Sequence, residues 1–157
     1  MKVQDLMTVS PEACRPDDNL AQAVSQLWKA DCGALPVVDH TGRLAGILTD
    51  RDICIALGTR NTRASESTVG SVMRTSVEVC EPNDDVLTAL SRMGDRRVRR
   101  LPVVDAEHRL LGIVSLSDVA LAAGAARNTV RPTAVLDAFR TICEHPLPVP
   151  IVKVAGA

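Results

Sequence analysis

Aromatic side chains are almost missing from this chain: Trp28 and Phe139 are the only two, and tyrosine is absent. A surface that stacks the bases of a single strand is built from such rings, so that function class is excluded. Charge of one sign is equally scarce. Eighteen Lys and Arg stand against 19 Asp and Glu, leaving a net charge of −1 and no broad cationic footprint for nucleic acid. No apolar run approaches the length of a membrane span, and no apolar core of a signal peptide follows Met1. A soluble, cytoplasmic protein without a membrane partner is expected. The five cysteines are odd in number, include no C-x-x-C pair and have no zinc-ligand spacing; the three histidines are dispersed. There is no P-loop, no G-x-G-x-x-G and no nucleophile–base signature. Neither an enzyme nor a metal site is expected.

What is abundant is aliphatic residues, which make up most of the 46% hydrophobic fraction. They are arranged twice over. Residues 3–53 and 69–119 align at a constant offset of 66 without a gap, and 19 of the 51 pairs are identical. Leu35-Pro36-Val37-Val38-Asp39 recurs as Leu101-Pro102-Val103-Val104-Asp105, and Gly46-Ile47 recurs as Gly112-Ile113. Met7, Cys14 and Pro16 match Met73, Cys80 and Pro82. A repeat of this length is one supersecondary unit that cannot bury its apolar face alone, so the copies must pack together and any site belongs at their seam.

Each copy reads β-α-β-β-α, an α/β pattern. A strand after Met7 or Met73 ends at Arg15-Pro16-Asp17-Asp18 or Glu81-Pro82-Asn83-Asp84, a turn and helix-start signal. The stripe Leu20, Val24, Leu27 repeats as Val86, Leu90, Met93 at helical spacing. Two short strands, Leu35 to Val38 and Leu44 to Leu48, or Leu101 to Val104 and Leu110 to Val114, form a hairpin. A second helix opens at Thr49 or Ser115. Residues 1–58 form repeat 1, the polar stretch 59–68 a linker, 69–123 repeat 2, and 124–157 a C-terminal helix and tail. In that last part Val135, Phe139 and Ile142 predict an amphipathic helix, and Pro146 to Pro150 an extended, poorly ordered end.

The doubled Leu-Pro-Val-Val-Asp turn with its following [ST]-x-x-D resembles a tandem pair of CBS (cystathionine-β-synthase) domains, a Bateman module, over residues 1–123. The stretch Gly46 to Asp52, with little beyond the pair, is similar to small stand-alone bacterial CBS-pair proteins of the hypoxic-response type. The resemblance implies two repeats about a pseudo-two-fold axis, a homodimer shaped as a flat disc, and a regulatory rather than catalytic role. Such pairs bind adenine nucleotides or S-adenosylmethionine between the repeats, so an AMP-, ADP- or ATP-like regulatory ligand is the candidate, with no required cofactor. With no effector domain attached, the output is expected in a separate partner protein. The strand residues Val9, Ser10, Pro11 and Thr75, Ser76, Val77 are expected to line the pockets.

Thr49-Asp50-Arg51-Asp52 is the leading candidate site. A carboxylate at a helix start accepts hydrogen bonds from ribose hydroxyls, and a hydroxyl with free backbone N–H groups suits a phosphate. The resemblance makes Asp52 the ribose ligand with Thr49 beside it. The same residues equally spell a helix capping box, which needs no ligand. Ser115 and Asp118 are the second such pair. Arg96-Arg97-Val98-Arg99-Arg100 precedes Leu101 only in the second copy; the matched first-copy residues include Gly33 and Ala34. By resemblance Arg99 and Arg100 join Thr49 and Asp52 in one site, reaching a phosphate with guanidinium forks. Alternatively the arginines are a solvated helix end, the cap is only a cap, and the protein is a ligand-free dimeric scaffold or stress-response protein responsive to thiol oxidation. Cys14 and Cys80 are expected to be core residues, and Cys32 and Cys143 the exposed thiols.

Overall fold

The computed structural model describes residues 1–123 and 130–144. In chain order the elements are β1 (Thr8–Val9), α1 (Leu20–Lys29), β2 (Ala34–Val38), β3 (Leu44–Thr49), α2 (Asp50–Arg60), α3 (Val86–Arg96), β4 (Arg100–Val104), β5 (Leu110–Ser115), α4 (Leu116–Ala123) and α5 (Pro132–Cys143). Helix α1 starts where Asn19 and Gln22 close a reciprocal capping box (2.9 and 3.0 Å). Helix α3 starts where the Asp85 carboxylate accepts the Leu87 N–H (2.8 Å). Both stop at left-handed backbone, at Asp31 (φ 47°) and Arg97 (φ 52°). Strands β2 and β3 form one antiparallel hairpin, and β4 and β5 the other. Each carries a bulge at the matched place, Val37/Val38 and Val103/Val104. The two hairpin ends touch reciprocally. Leu44 N–H donates to the His108 carbonyl and Leu110 N–H to the Gly42 carbonyl, both at 3.0 Å, which is the signature of a pseudo-two-fold axis between them.

The expected first strand of each repeat is cut in two, and its halves serve different repeats. Thr8 and Val9 pair with Ile113 and Gly112 of the second hairpin. Arg74 pairs with Ile47 of the first. Only the later halves stay at home, through single parallel bridges of Cys14 to Val37 and Cys80 to Val103. Left-handed backbone at Ser10 (φ 48°) breaks the first copy's strand where the chain passes between sheets. The exchange extends upstream. Val3 N–H donates to the Asp84 carbonyl (3.0 Å) and Val69 N–H to the Asp18 carbonyl (2.9 Å). Val3 and Val69 are both fully buried, each in the core of the opposite repeat. Burying such a side chain stabilises by about 1.5–3 kcal/mol.

The exchange explains the repeated Gly-Ile. A Cβ on Gly46 would stand 2.6 Å from the Arg74 carbonyl oxygen, and one on Gly112 would stand 2.9 Å from that of Thr8. Only glycine lets the crossing backbone approach so closely.

The second helical stripe is buried as expected: Val86, Leu90 and Met93, joined by Ala89. The first departs from its copy, with Leu20, Ala23 and Leu27 buried and Val24 exposed. Helix α5 is the cause, because it packs on α3 and α4. Its inward face is Ala134, Val135, Ala138 and Ile142, so Phe139 is turned toward its rim and half exposed. The expected extended end at Pro146 to Pro150 lies outside the described residues.

Two alanine substitutions separate close approach from helix propensity. Gly46→Ala is expected to lower unfolding free energy by about 1–3 kcal/mol through overpacking against backbone. Gly58→Ala, in α2 with open space around it, is expected to raise it by about 0.5–1 kcal/mol. Urea denaturation of the three proteins checks both signs.

Candidate functional site

Strands β3 and β5 each end at a helix start beside the exchanged segment of the other repeat. At the first, Thr49 Oγ1 accepts the Asp52 N–H (3.1 Å) and donates to Asp52 Oδ2 (2.6 Å), which also accepts the Thr49 N–H (3.3 Å). At the second, Ser115 Oγ accepts the Asp118 N–H (3.2 Å) and donates to Asp118 Oδ2 (2.7 Å), which also accepts the Ser115 N–H (2.8 Å). Both pairs are therefore complete capping boxes. The cap uses one carboxylate oxygen and leaves the other to different partners.

Those partners differ. Asp52 Oδ1 accepts two N–H groups of Arg74, from Nε (3.0 Å) and Nη2 (2.8 Å). Arg74 belongs to the exchanged segment of repeat 2, and its backbone is paired with Ile47. The matched place at the other site is Thr8. Among the described residues no donor bonds Asp118 Oδ1. The Asp52 side chain is 9% exposed and that of Arg74 64%. Burial by itself raises the Asp52 pKa, but the hydrogen bonds from Arg74 and Thr49, with the guanidinium charge, outweigh it and hold the carboxyl below its ordinary value. Sequence reading missed Arg74. The available signal was a departure from the repeat, Arg74 where the other copy has Thr8.

The four clustered arginines scatter to separate tasks. Arg96 pairs with Glu78 (3.0 Å) and Arg97 turns the end of α3. Arg99 is exposed, and its carbonyl accepts the Leu116 N–H (2.9 Å). Arg100 is half-buried and turns toward repeat 1: its Nη2 lies 3.8 Å from where a Gly33 Cβ would stand, beside Asp50 at the start of α2. Of the pocket-lining strand residues, Val9 pairs with β5 and Ser10 donates its N–H to Leu111 (3.0 Å), so both accompany Ser115 and Asp118. Two open grooves of about 510 and 500 Å³ lie on helical faces instead, one along α1 and α2, the other between α4 and α5. Among the described residues no set of His, Cys, Asp and Glu is placed to hold a metal ion.

The thiols follow expectation for Cys14 and Cys80 and depart from it for the exposed ones. Cys14 and Cys80 are buried, and burial, reinforced by the nearby Asp18 and Asp84 carboxylates, pushes each thiol up to about 12. Cys32 and Cys143 are only half-exposed, while Cys54, on the outer side of α2, is the exposed one. Since the thiolate is the reactive species, a disulfide reagent at pH 8 is expected to label Cys54 first in the native protein. Cys14 and Cys80 should react only after unfolding, as read by peptide mass spectrometry. A second outcome follows from the depressed Asp52 pKa. Its stabilising contribution is present above the ordinary carboxylate pKa and is lost as pH falls through the depressed value. Arg74→Gln should move the Asp52 carboxyl titration upward, followed by carbon-13 NMR, and cost less than about 1 kcal/mol at neutral pH because the guanidinium is largely in water.

The CBS domain family profile matches this chain twice, over residues 3–59 and 69–124. Hypoxic response protein 1 of Mycobacterium tuberculosis is 34% identical over 117 residues, covering 74% of this chain and 81% of that protein. Among solved structures, a CBS domain pair in complex with 5′-methylthioadenosine and S-adenosyl-L-methionine superposes with a TM-score of 0.71 at 27% identity, over 77% of this chain and 94% of that one. CBSX2 in complex with AMP does so with a TM-score of 0.69 at 28% identity, over 78% and 95%. Doubled hairpins, doubled capped carboxylates and a doubled profile match lead to one assignment: the chain belongs to the CBS-domain family, as a tandem pair.

Proposed function

We propose that this CBS pair is a non-catalytic regulatory module that binds an adenine-containing ligand in the seam between its repeats and signals to a separate partner protein. The observation that carries the reading is the geometry of the two caps. Each fixes a carboxylate at a helix start beside the exchanged segment of the other repeat and spends only one of its oxygens on the cap. The second oxygen is the acceptor for a ribose diol, Asp52 in one site and Asp118 in the other. Thr49 and Ser115 contribute by orienting those carboxylates, because their own hydroxyls are spent within the cap. Arg100, leaning from repeat 2 toward the start of α2, is the group for a phosphate, with the exposed Arg99 beside it. The AMP and S-adenosylmethionine complexes of the structural neighbours support the ligand class.

A ligand held by both repeats favours one relative placement of them over another, and only that differential affinity moves an equilibrium. We further propose that the working unit is a homodimer, since Val24, Trp28 and Ile55 stand exposed on the helices of repeat 1. The completeness of both caps without a ligand favours a second reading, a ligand-free dimeric scaffold. A thermal-shift panel of AMP, ADP, ATP and S-adenosylmethionine decides between them. Under the sensor reading at least one ligand, at a hundred times its Kd, adds about 2.7 kcal/mol. That raises Tm by roughly 5–10 °C, and the rise disappears in the Asp52→Asn/Asp118→Asn double variant. A flat panel supports the scaffold.

A further inference from the structure

The pseudo-two-fold axis makes each site a control for the other, and one difference bears directly on the capped carboxylate. Where the exchanged segment passes the helix start, the Asp118 site has Thr8 and the Asp52 site has Arg74. We propose that Arg74 is a specificity-determining residue, an internal occupant of Asp52 that closes the repeat-1 site to neutral nucleosides and yields to ligands carrying a phosphate. This rests on the adenine-ligand reading above and adds which ligand each site accepts.

The argument follows from what Asp52 must give up. Its Oδ2 is committed to the Thr49 cap, so a ribose diol can bond only Oδ1, where two N–H groups of Arg74 already sit. A two-point guanidinium–carboxylate pair is charge-assisted on both sides, and neutral hydroxyls replace it with weaker bonds. A neutral nucleoside therefore competes at a loss. A phosphate changes the exchange by offering the displaced guanidinium a bidentate partner of its own. Arg74 is built for such a move. Its side chain is mostly exposed while its backbone stays paired to Ile47 at 2.9 Å in both directions, so the fork can swing without disturbing the sheet. Arg100, on the same side of the seam as the start of α2, adds a second cation for the incoming phosphate. At Asp118 no cation stands in the way: Oδ1 has no donor among the described residues, and Thr8 is uncharged. A nucleoside enters there directly.

Isothermal titration of the full chain with adenosine and with AMP tests this. Wild type is expected to bind about one adenosine per chain, lost in Asp118→Asn and retained in Asp52→Asn, and about two AMP. Arg74→Thr, which copies the other repeat, should admit a second adenosine by strengthening its affinity at the Asp52 site roughly tenfold, about 1.4 kcal/mol. Arg74→Gln should also reduce the advantage of AMP over adenosine at that site. Adenosine binding in wild type that depends on Asp52 would overturn the role of Arg74 while leaving the sensor reading intact. So would AMP binding with adenosine affinity unchanged by Arg74→Thr. Binding of neither ligand by wild type or any variant would overturn the sensor reading and this inference together.

Discussion

Everything in this molecule hangs on the trade of two short segments between repeats. Val3 enters the core of the second copy and Val69 the core of the first, each pinned by backbone hydrogen bonds to the turn before the other copy's first helix. The trade holds the repeats in one relative placement, and it brings Thr8 and Arg74 against the two helix starts. Gly46 and Gly112 are its geometric condition, because any side chain there would collide with the arriving backbone. Fold and site thus share one device. The crossing strands that knit the two cores together also border the carboxylates.

Symmetry then makes the exceptions informative. Among the described residues helix α5 covers α3 and α4 and no helix does the same for α1 and α2, which leaves Trp28 at 87% exposure while the matched Gly94 is buried against Thr141. Arg74 has no counterpart at Thr8. The first exception makes the outer faces of the two repeats unequal, and the second makes their inner sites unequal. A pair built from equal halves would set both capped carboxylates among the same partners; this one pairs Asp52 with Arg74 and leaves Thr8 beside Asp118.

Much of the architecture was legible because the information was periodic and local. Leu-Pro-Val-Val-Asp followed by Gly-Ile specifies a hairpin in each copy, and Thr49 to Asp52 and Ser115 to Asp118 specify helix starts whatever else they do. Two capping boxes and the strand–strand–helix order around them could therefore be read directly. What escaped was non-local. The burial of Val24 depends on whether a helix some hundred residues later lies over it, and the matched Leu90 has that cover while Val24 does not. The first strand reads as one element because nothing in Thr8 to Cys14 says that its halves pair with different hairpins. Arg74 was invisible as the partner of Asp52 for the same reason. Its partner is 22 positions upstream, and only the exchange brings them together. The arginine cluster is conspicuous in the sequence, but only Arg100 turns toward repeat 1, and its neighbours scatter to an ion pair, a helix end and solvent, which a count of charges does not reveal.

The exchange also sets an order of assembly as the chain is made. The first core lacks its last valine until residue 69 has emerged, so repeat 1 must wait, incomplete, through the synthesis of its own linker. Val3 has no complete home until the strands beyond residue 100 arrive. Val3 thus waits without its core while the whole of repeat 1 is made. Domains usually fold as units from the N-terminus during synthesis. Here the halves depend on each other: repeat 1 can close only once Val69 is made, and repeat 2 only by taking Val3 back from the segment before repeat 1.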